Sequence, residues 1–250
     1  MRKKIFDFTL YLIVAFSLIP MILLVFNLDF SEGFVGFGNA LLVGLPYIIN
    51  SVIIIIPIML FSHLVSLLGA YELAYGKSRR NVAILIVLAI VALLPGQVMM
   101  IPNYLITGVL GIRGGYLSVI LPGIFYPVSV VILTIQMRTI PGNILEAAKL
   151  DGATDGIILR RIVIPNIKFG ISIVALILFS EYWNLVDFST IYLMDERKKP
   201  LSSLLGKMAE TEQNIYLINL LIYMLPPLLL GVFCAYFIWE YIDKSINKKW

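Results

Sequence analysis

Six apolar runs separated by short polar segments leave this chain few possible folds. Each run is close to or above the length of about 20 predominantly apolar residues that a helix needs to cross a bilayer. The runs are Phe8–Leu28, Ile48–Ala74, Val82–Tyr104, Tyr116–Met137, Phe169–Val186 and Ile215–Tyr241. With 60% hydrophobic and 14% charged residues among 250, the chain has too few polar side chains to cover a soluble domain. The sequence therefore predicts an all-α integral membrane protein with six transmembrane helices, forming one domain over residues 1–250.

The basic residues predict which loops face the cytoplasm. If the N-terminus lies inside, 14 of the 19 lysines and arginines fall on cytoplasmic segments and 5 on outer segments, as the positive-inside rule requires. Both termini are therefore expected to be cytoplasmic, and the first run is expected to be an uncleaved helix rather than a signal peptide. The glycine-rich segment between Leu28 and Ile48 is predicted to be an outer link, and Asp187–Asn214 a solvated outer loop.

The longest polar interruption is Ile140–Gly170, which the charge distribution assigns to the cytoplasm. Asn143 followed by Glu146 fits a capping box that would begin a short helix. Ala147 and Ala148 then leave one side of this helix with little side-chain bulk. The helix is therefore predicted to offer a docking surface to another protein.

Two further breaks are predicted after this short helix. Gly152 is expected to turn the chain through a positive φ at the end of the helix, where glycine causes no strain. A second segment, Thr154–Val163, would then run to a stop or kink at Pro165. The pattern therefore indicates two short helical segments joined by a turn on the cytoplasmic side.

The residues of this stretch resemble a known motif. Glu146-Ala147-Ala148, Asp151-Gly152-Ala153 and Ile164-Pro165 are similar to the EAA loop of binding-protein-dependent ABC importer permeases. Asn50-Ser51 at the start of the second run and Tyr182-Trp183-Asn184 in the fifth run resemble the carbohydrate-uptake, maltose-type branch of that family. The resemblance extends over residues 45–230.

This resemblance implies an ABC importer permease fold in which residues 138–168 form a cytoplasmic coupling loop that sits in a cleft of a separate ATPase. The residues that it assigns to ATPase coupling are Glu146, Ala147, Ala148, Leu150, Asp151, Gly152, Ala153 and Pro165. The implied partners are a second homologous permease, two cytoplasmic ATPase subunits and an extracellular or periplasmic solute-binding protein. The implied location is a bacterial plasma membrane, with lipid contacts and no nucleic acid.

The chain itself is predicted to hold no nucleotide and no catalytic site. Gly76-Lys77-Ser78 looks like the end of a phosphate-binding loop, but Tyr71 stands where that loop requires its first glycine. The single histidine, His63, and the single cysteine, Cys234, provide neither a metal site nor an intrachain disulfide. The chain is therefore expected to be a non-catalytic subunit without a cofactor, with ATP and Mg²⁺ bound by the partner ATPase.

A polar interruption in the fifth run predicts where a solute would pass. At 1.5 Å per residue, Glu181 lies about 17 Å from Gly170 along the helix, near the bilayer midplane. A charge there costs on the order of 3 kcal/mol unless it faces protein or water, so Glu181 is expected to face the bundle interior. With Tyr182, Trp183 and Asn184 it would offer stacking faces and hydrogen bonds to a polyhydroxylated solute. An interhelical hydrogen bond that fixes the bundle is the alternative interpretation.

The preferred hypothesis is the permease subunit of an ATP-driven carbohydrate importer that works by alternating access. A non-sugar solute such as a polyamine, phosphate or an amino acid is one alternative, although Asp151 resembles sugar permeases rather than the others, which tend to have leucine there. An intramembrane hydrolase or an ATP-independent carrier is another. A hydrolase would require clustered ionisable groups at membrane depth, and a carrier would be expected to contain two related halves; neither pattern is found in the sequence.

Overall fold

The computed structural model describes residues 33–76, 78–208 and 213–247, together with isolated positions between 16 and 26. Every regular element in these residues is helical. The α-helices are α1 Gly33–Tyr75, α2 Arg79–Ala92, α3 Gly96–Val109, α4 Leu117–Ile124, α5 Pro127–Met137, α6 Gly142–Leu150, α7 Asp155–Ile158, α8 Ile164–Asn166, α9 Lys168–Trp183, α10 Val186–Tyr192, α11 Leu201–Met208 and α12 Gln213–Asn247. A π-helical turn, Leu159–Val163, joins α7 to α8, and Glu196–Lys198 forms a 3₁₀ turn.

Several of these helices can cross a membrane. Within the described residues, Val35–Tyr75, Leu117–Met137 and Ile215–Ala235 are long and apolar enough, and two bent helix pairs bring the number to five if each pair forms one span. The bent pairs are α2 with α3 and the α7–α8 segment with α9. The predicted all-α membrane architecture is confirmed, whereas the first predicted span, Phe8–Leu28, lies outside the described residues except for isolated positions between 16 and 26.

The central helix α1 contacts α2, α4, α5, α9, α11 and α12. One face of α1 is buried over its whole length because its inward side chains recur every three or four residues, as a helical period requires. Most of these side chains are small or β-branched, which allows neighbouring helices to approach closely in a membrane. The buried positions are Gly36, Ala40, Gly44, Asn50, Ser51, Ile54, Ile55, Ile58, Ser62, Ser66, Ala70 and Leu73.

The predicted outer link between Leu28 and Ile48 is wrong over most of its length, because α1 begins at Gly33 and runs for 43 residues. Such a helix is about 64 Å long, twice the hydrocarbon thickness. Close packing against α12 explains why glycines are tolerated here despite their low helix propensity. A Cβ on Gly44 would lie 1.8 Å from Oδ1 of Asn219, and Nδ2 of Asn219 donates to the Ala40 carbonyl at 3.0 Å.

The third predicted span, Val82–Tyr104, is not one straight helix. The chain leaves helical geometry at Leu93–Pro95, and α2 and α3 meet at an angle of 102°. Proline breaks a helix because it lacks the backbone N–H and clashes with the preceding turn. The fourth span is interrupted in the same way at Phe125–Tyr126, immediately before Pro127.

The segment Asp187–Asn214 was predicted to be a solvated outer loop, but the part described up to residue 208 is folded onto the bundle. The first five residues of α11 are buried, and α1 holds the chain that precedes them. Asn50 donates from Nδ2 to the carbonyls of Arg197 and Lys199 at 2.8 and 2.9 Å, and Tyr116 donates to Oδ1 of Asn50 at 2.6 Å. The charges suggested solvation, but these hydrogen bonds fix the segment onto the bundle.

Candidate functional site

The short helix α6 combines one buried anchor with an exposed outer face. Leu145 is buried in the core, whereas Glu146, Ala147 and Asp151 are exposed. Leu150 is 89% exposed, which is unusual for a leucine at the end of a nine-residue helix. This face of α6 therefore presents one apolar side chain beside carboxylates, with little bulk between them.

The end of α6 is a Schellman motif, which explains the residues that follow it. Gly152 has φ +81° and donates its N–H to the Lys149 carbonyl at 3.1 Å, while Ala153 donates to the Ala148 carbonyl at 2.9 Å. These are the two bonds that define the motif. Its usual apolar contact is present too, because Ala148 and Ala153 both pack against the core. Of the predicted docking pair, only Ala147 therefore faces outwards.

The predicted capping box at the start of α6 is wrong. Pro141 occupies the N-cap position and no side chain caps the helix, so Asn143 lies inside the first turn. Proline is suited to a helix start because its φ is already helical and its missing N–H would have no partner there. The Pro-Gly pair therefore begins the helix rather than only ending the preceding segment.

Asp155 connects α6 to the central helix. Its Oδ1 lies 3.0 Å from Nζ of Lys149 and accepts a hydrogen bond of 3.0 Å from the Tyr71 hydroxyl. The interactions with Lys149 and Tyr71 lower the pKa of Asp155, so this carboxylate remains ionised at neutral pH. Pro165 lies exposed in α8, two residues before the bend of 79° at Ile167 that leads into α9.

A contiguous apolar cluster, which we call the coupling core, joins α6 to the membrane helices. It contains Ala70, Leu133, Met137, Ile140, Leu145, Ile158, Val163, Ile167, Val174 and Leu178. Tyr126 and Tyr182 also pack against it. The cluster therefore places Leu145 of α6 in one packed core with side chains of α5 and α9.

A cavity of about 450 Å³ lies where three helix interruptions meet. Its wall comes from the break between α2 and α3, the break between α4 and α5, and the chain from the end of α9 into α10. Its lining includes Gly96, Asn103, Tyr126, Glu181, Tyr182 and Phe188. Irregular backbone at membrane depth is tolerated where it lines a cavity, and in transporters such breaks mark solute sites.

The cavity offers both aromatic faces and polar groups. Tyr126 and Tyr182 pack edge to face with ring centroids 6.4 Å apart, and Phe188 stacks on Tyr192. Glu181 is exposed to this space. No hydrogen bond from another described residue reaches its carboxylate, so the alternative of an interhelical bond at Glu181 finds no partner in the described part of the chain.

Trp183 and Asn184 do not line the cavity, in contrast to their predicted role. Trp183 is 4% exposed, stacks between Phe179 and Tyr223, and donates from Nε1 to the Tyr223 carbonyl at 3.0 Å. The Tyr223 hydroxyl in turn hydrogen-bonds Oδ1 of Asn184. Trp183 and Asn184 therefore hold α9 against α12. Consecutive helix positions point about 100° apart, so these two side chains do not share the direction of Glu181 and Tyr182.

We expect Trp183→Phe to lower stability without changing solute affinity. The ring stack survives, but the indole hydrogen bond is lost, at a cost of about 1 kcal/mol and roughly 2–4 °C in melting temperature. Thermal unfolding of the purified complex and the apparent affinity for uptake are the two measurements. An altered affinity at unchanged melting temperature would place Trp183 in the pathway instead.

Sequence reasoning missed most of the cavity wall. Asn103, Tyr126 and Phe188 lie on three different segments, and no periodicity connects them. The prolines and glycines at membrane depth do indicate breaks that suit helices lining a pathway, and Gly96 and Gly123 both line the cavity. A Cβ on Gly123 would lie 2.9 Å from Ile58 and 3.1 Å from Tyr182.

Curated relatives of the chain are permease subunits. It is 30% identical over 162 residues to the polygalacturonan/rhamnogalacturonan transport system permease protein YtcP of Bacillus subtilis, covering 63% of this chain and 56% of YtcP. It is 26% identical over 207 residues to the sn-glycerol-3-phosphate transport system permease protein UgpE of Rhizobium meliloti, and the match covers 80% of this chain and 73% of UgpE. The arabinooligosaccharides transport system permease protein AraQ of Halalkalibacterium halodurans is 32% identical over 136 residues, and the match covers 54% of this chain and 48% of AraQ. The chain thus spans about half the length of YtcP and AraQ. No protein-family model matches it.

The fold is also found in a solved importer. A chain in the crystal structure of a bacterial ABC transporter involved in the import of the acidic polysaccharide alginate superposes with a TM-score of 0.72 at 17% identity. The superposition covers 98% of this chain and 97% of that one, so the fold is the ABC importer permease fold. The permease relatives agree with the motif resemblance: the chain is similar to the permease subunits of saccharide and glycerol phosphate transport systems and has the fold of an ABC importer chain.

Proposed function

We propose that the chain is the transmembrane permease subunit of an ATP-driven importer for an oligosaccharide or another carbohydrate. The observation that supports this most directly is the continuous packed connection between α6 and the cavity. Leu145 of α6 belongs to the coupling core, and Tyr126 and Tyr182, which pack against the same core, line the cavity. A push on α6 would therefore reach the solute path without crossing a flexible segment.

The proposed mechanism assigns residues 138–168 to the cytoplasm, both termini to the same side, and α6 to a cleft of an ATPase subunit. ATP binding would close a pair of ATPase subunits and move α6 with them. The coupling core would then displace α5 and α9, whose breaks border the cavity, and open the path outwards. A second permease, two ATPase subunits and a solute-binding protein complete the proposed importer, and ATP and Mg²⁺ belong to the ATPase.

In this mechanism the exposed residues of α6 dock and the buried ones transmit force. Leu150 and Ala147 would enter the cleft, with Glu146 and Asp151 contributing charged contacts. Gly152, Ala148 and Ala153 would fix the helix end through the Schellman motif. Pro165 would maintain the bend through which α7 and α8 lead into α9.

The chemistry of the cavity supports a saccharide as solute. Pyranose rings present apolar faces that stack on aromatic side chains, and hydroxyl groups that pair with amides and carboxylates. Tyr126, Tyr182 and Phe188 supply the faces, whereas Asn103 and Glu181 supply the polar partners. YtcP, AraQ and the alginate importer are named for saccharides, while UgpE is named for sn-glycerol-3-phosphate.

The proposed docking role predicts the effect of a charge at Leu150. We expect Leu150→Glu to reduce ATP-dependent uptake into membrane vesicles by at least tenfold, because a carboxylate would have to be desolvated in the ATPase cleft. The amount of protein in the membrane should not change, since the side chain is exposed and supports no core contact. Co-purification of the ATPase subunits with the tagged chain measures docking directly.

Leu150→Met is the matched control, because it retains an apolar side chain of similar volume. It should support uptake and retain the ATPase subunits. If Leu150→Glu transported solute and bound the ATPase like the unmodified chain, α6 would not be the docking element. A chain that took up no saccharide through any ATP-dependent route would contradict the proposed function itself.

A further inference from the structure

We infer that the cavity selects uncharged saccharides and excludes anionic ones such as uronates and sugar phosphates. This inference rests on the proposed function and narrows its substrate class. The structure assigns the selection to Glu181. Polysaccharide and polyol phosphate permeases are both found among the relatives, so the fold alone does not decide the charge of the solute.

Glu181 is the only ionisable carboxylate or base among the described residues that line the cavity, and no lysine or arginine lies among them. The remaining polar groups of the lining are hydroxyls and amides, such as those of Asn103, Tyr126 and Tyr182. A carboxylate or phosphate on the solute would therefore meet a like charge and no compensating cation. Repulsion of this kind is strong where apolar walls keep the local dielectric low.

The position of Glu181 also removes a second possible anion site. Helix α3 begins at Gly96 on the cavity wall, and a helix N-terminus attracts anions through its free N–H groups and its dipole. A Cβ on Gly96 would lie only 3.7 Å from Oε1 of Glu181, so the carboxylate of the protein itself occupies the approach to this helix end.

The size of the cavity fits a small neutral saccharide. A volume of about 450 Å³ lies within the range of roughly 300–1,000 Å³ for small-molecule sites, with room for one or two sugar rings. Aromatic rings at Tyr126, Tyr182 and Phe188 can stack on these rings whatever their hydroxyl pattern. Orientation would then depend on the carboxylate of Glu181 accepting hydrogen bonds from sugar hydroxyls, which an anionic group on the solute would prevent.

The test uses the importer purified from membranes with its permease and ATPase subunits, placed in lipid nanodiscs without the binding protein. The probes are uronic acid disaccharides of the gluco, galacto and manno series, each paired with its methyl ester, so that the two members of a pair differ in charge. Equilibrium binding is measured at low ionic strength. We expect at least one ester to bind tenfold or more tightly than its acid, equivalent to 1.4 kcal/mol.

Glu181→Gln should reduce the ratio of ester to acid affinity towards one, because it removes the charge and retains the shape. The matched control is Asp187→Asn, which neutralises an exposed carboxylate on α10 that does not line the cavity. This control should leave the ratio unchanged. An equal change in both variants would indicate a general surface potential and would overturn the assignment to Glu181.

The outcomes separate this inference from the proposed function. If acids and esters bind equally well, or if Glu181→Gln leaves their ratio unchanged, charge selection is refuted while a saccharide site in the cavity stands. If no probe of any series binds, the cavity is not a saccharide site, and the saccharide part of the proposed function is refuted together with the inference.

Discussion

Gly152→Val is expected to reduce ATP-dependent uptake by at least tenfold while the chain still inserts into the membrane. Gly152 has φ +81°, a conformation that costs a non-glycine residue about 1–2 kcal/mol and is least accessible to a β-branched side chain. The substitution should therefore unwind the last turn of α6 and displace Leu150. Uptake into vesicles and the level of the chain in membranes are the measurements.

Space around Gly152 makes this experiment selective for backbone conformation. A Cβ at this position would meet no atom within 4 Å, so any loss is caused by the φ angle and not by a clash within the chain. Gly152→Asn is the matched control, because asparagine adopts the left-handed conformation more readily than other residues. It should retain most of the uptake. Equal loss in both variants would contradict the conformational explanation and favour a steric limit in the docking cleft.

Asn50→Leu is expected to produce the largest loss of stability. The variant removes two donors from the carbonyls of Arg197 and Lys199 and the acceptor of the Tyr116 hydroxyl. A buried group left without a partner costs about 1–3 kcal/mol. Because the bond to Lys199 is buried and the other two are only partly buried, we expect a total of roughly 2–4 kcal/mol and a fall in melting temperature on the order of 10 °C. Thermal unfolding of the detergent-purified complex measures the change.

Ser202→Ala is the control for this outer segment. Ser202 is also buried, but its hydroxyl has no hydrogen-bond partner among the described residues, so its removal should cost little or nothing. Protease cleavage within 195–208 should become faster for Asn50→Leu and stay unchanged for Ser202→Ala. A stable Asn50→Leu variant with normal cleavage would mean that packing of α11, rather than Asn50, holds the segment.

The sequence predicted the membrane class, the short helix α6 between two spans and the turn at Gly152. The first and the third depend on signals between near neighbours in the chain, namely apolar run length and a glycine at a helix end. Helix α6 forms where it was predicted, although Pro141 and not the predicted capping box begins it. The same local reasoning was wrong where a long-range partner decided the outcome. The glycines after Leu28 suggested a link, but Asn219 packs onto Gly44 and the segment is helical.

The candidate cavity required the tertiary structure for a related reason. The position of Glu181 and Tyr182 on the cavity wall could be predicted, because a charge at membrane depth must face protein or water. The sequence could not show that Trp183 and Asn184 pack against α12 instead of lining the cavity. Their contacts depend on the position of Tyr223, which lies 40 residues after Trp183 in the chain.

The sequence by itself determined that this chain crosses the membrane several times and presents a short helix between its spans, because hydrophobic length and helix-end chemistry are local properties. Only the tertiary structure decided that the breaks at Pro95 and Pro127 and the end of α9 meet around one cavity. It also decided that Leu145 connects α6 to the tyrosines of that cavity. The physical reason is that packing joins residues far apart in the chain, and no periodicity in the sequence encodes which faces meet.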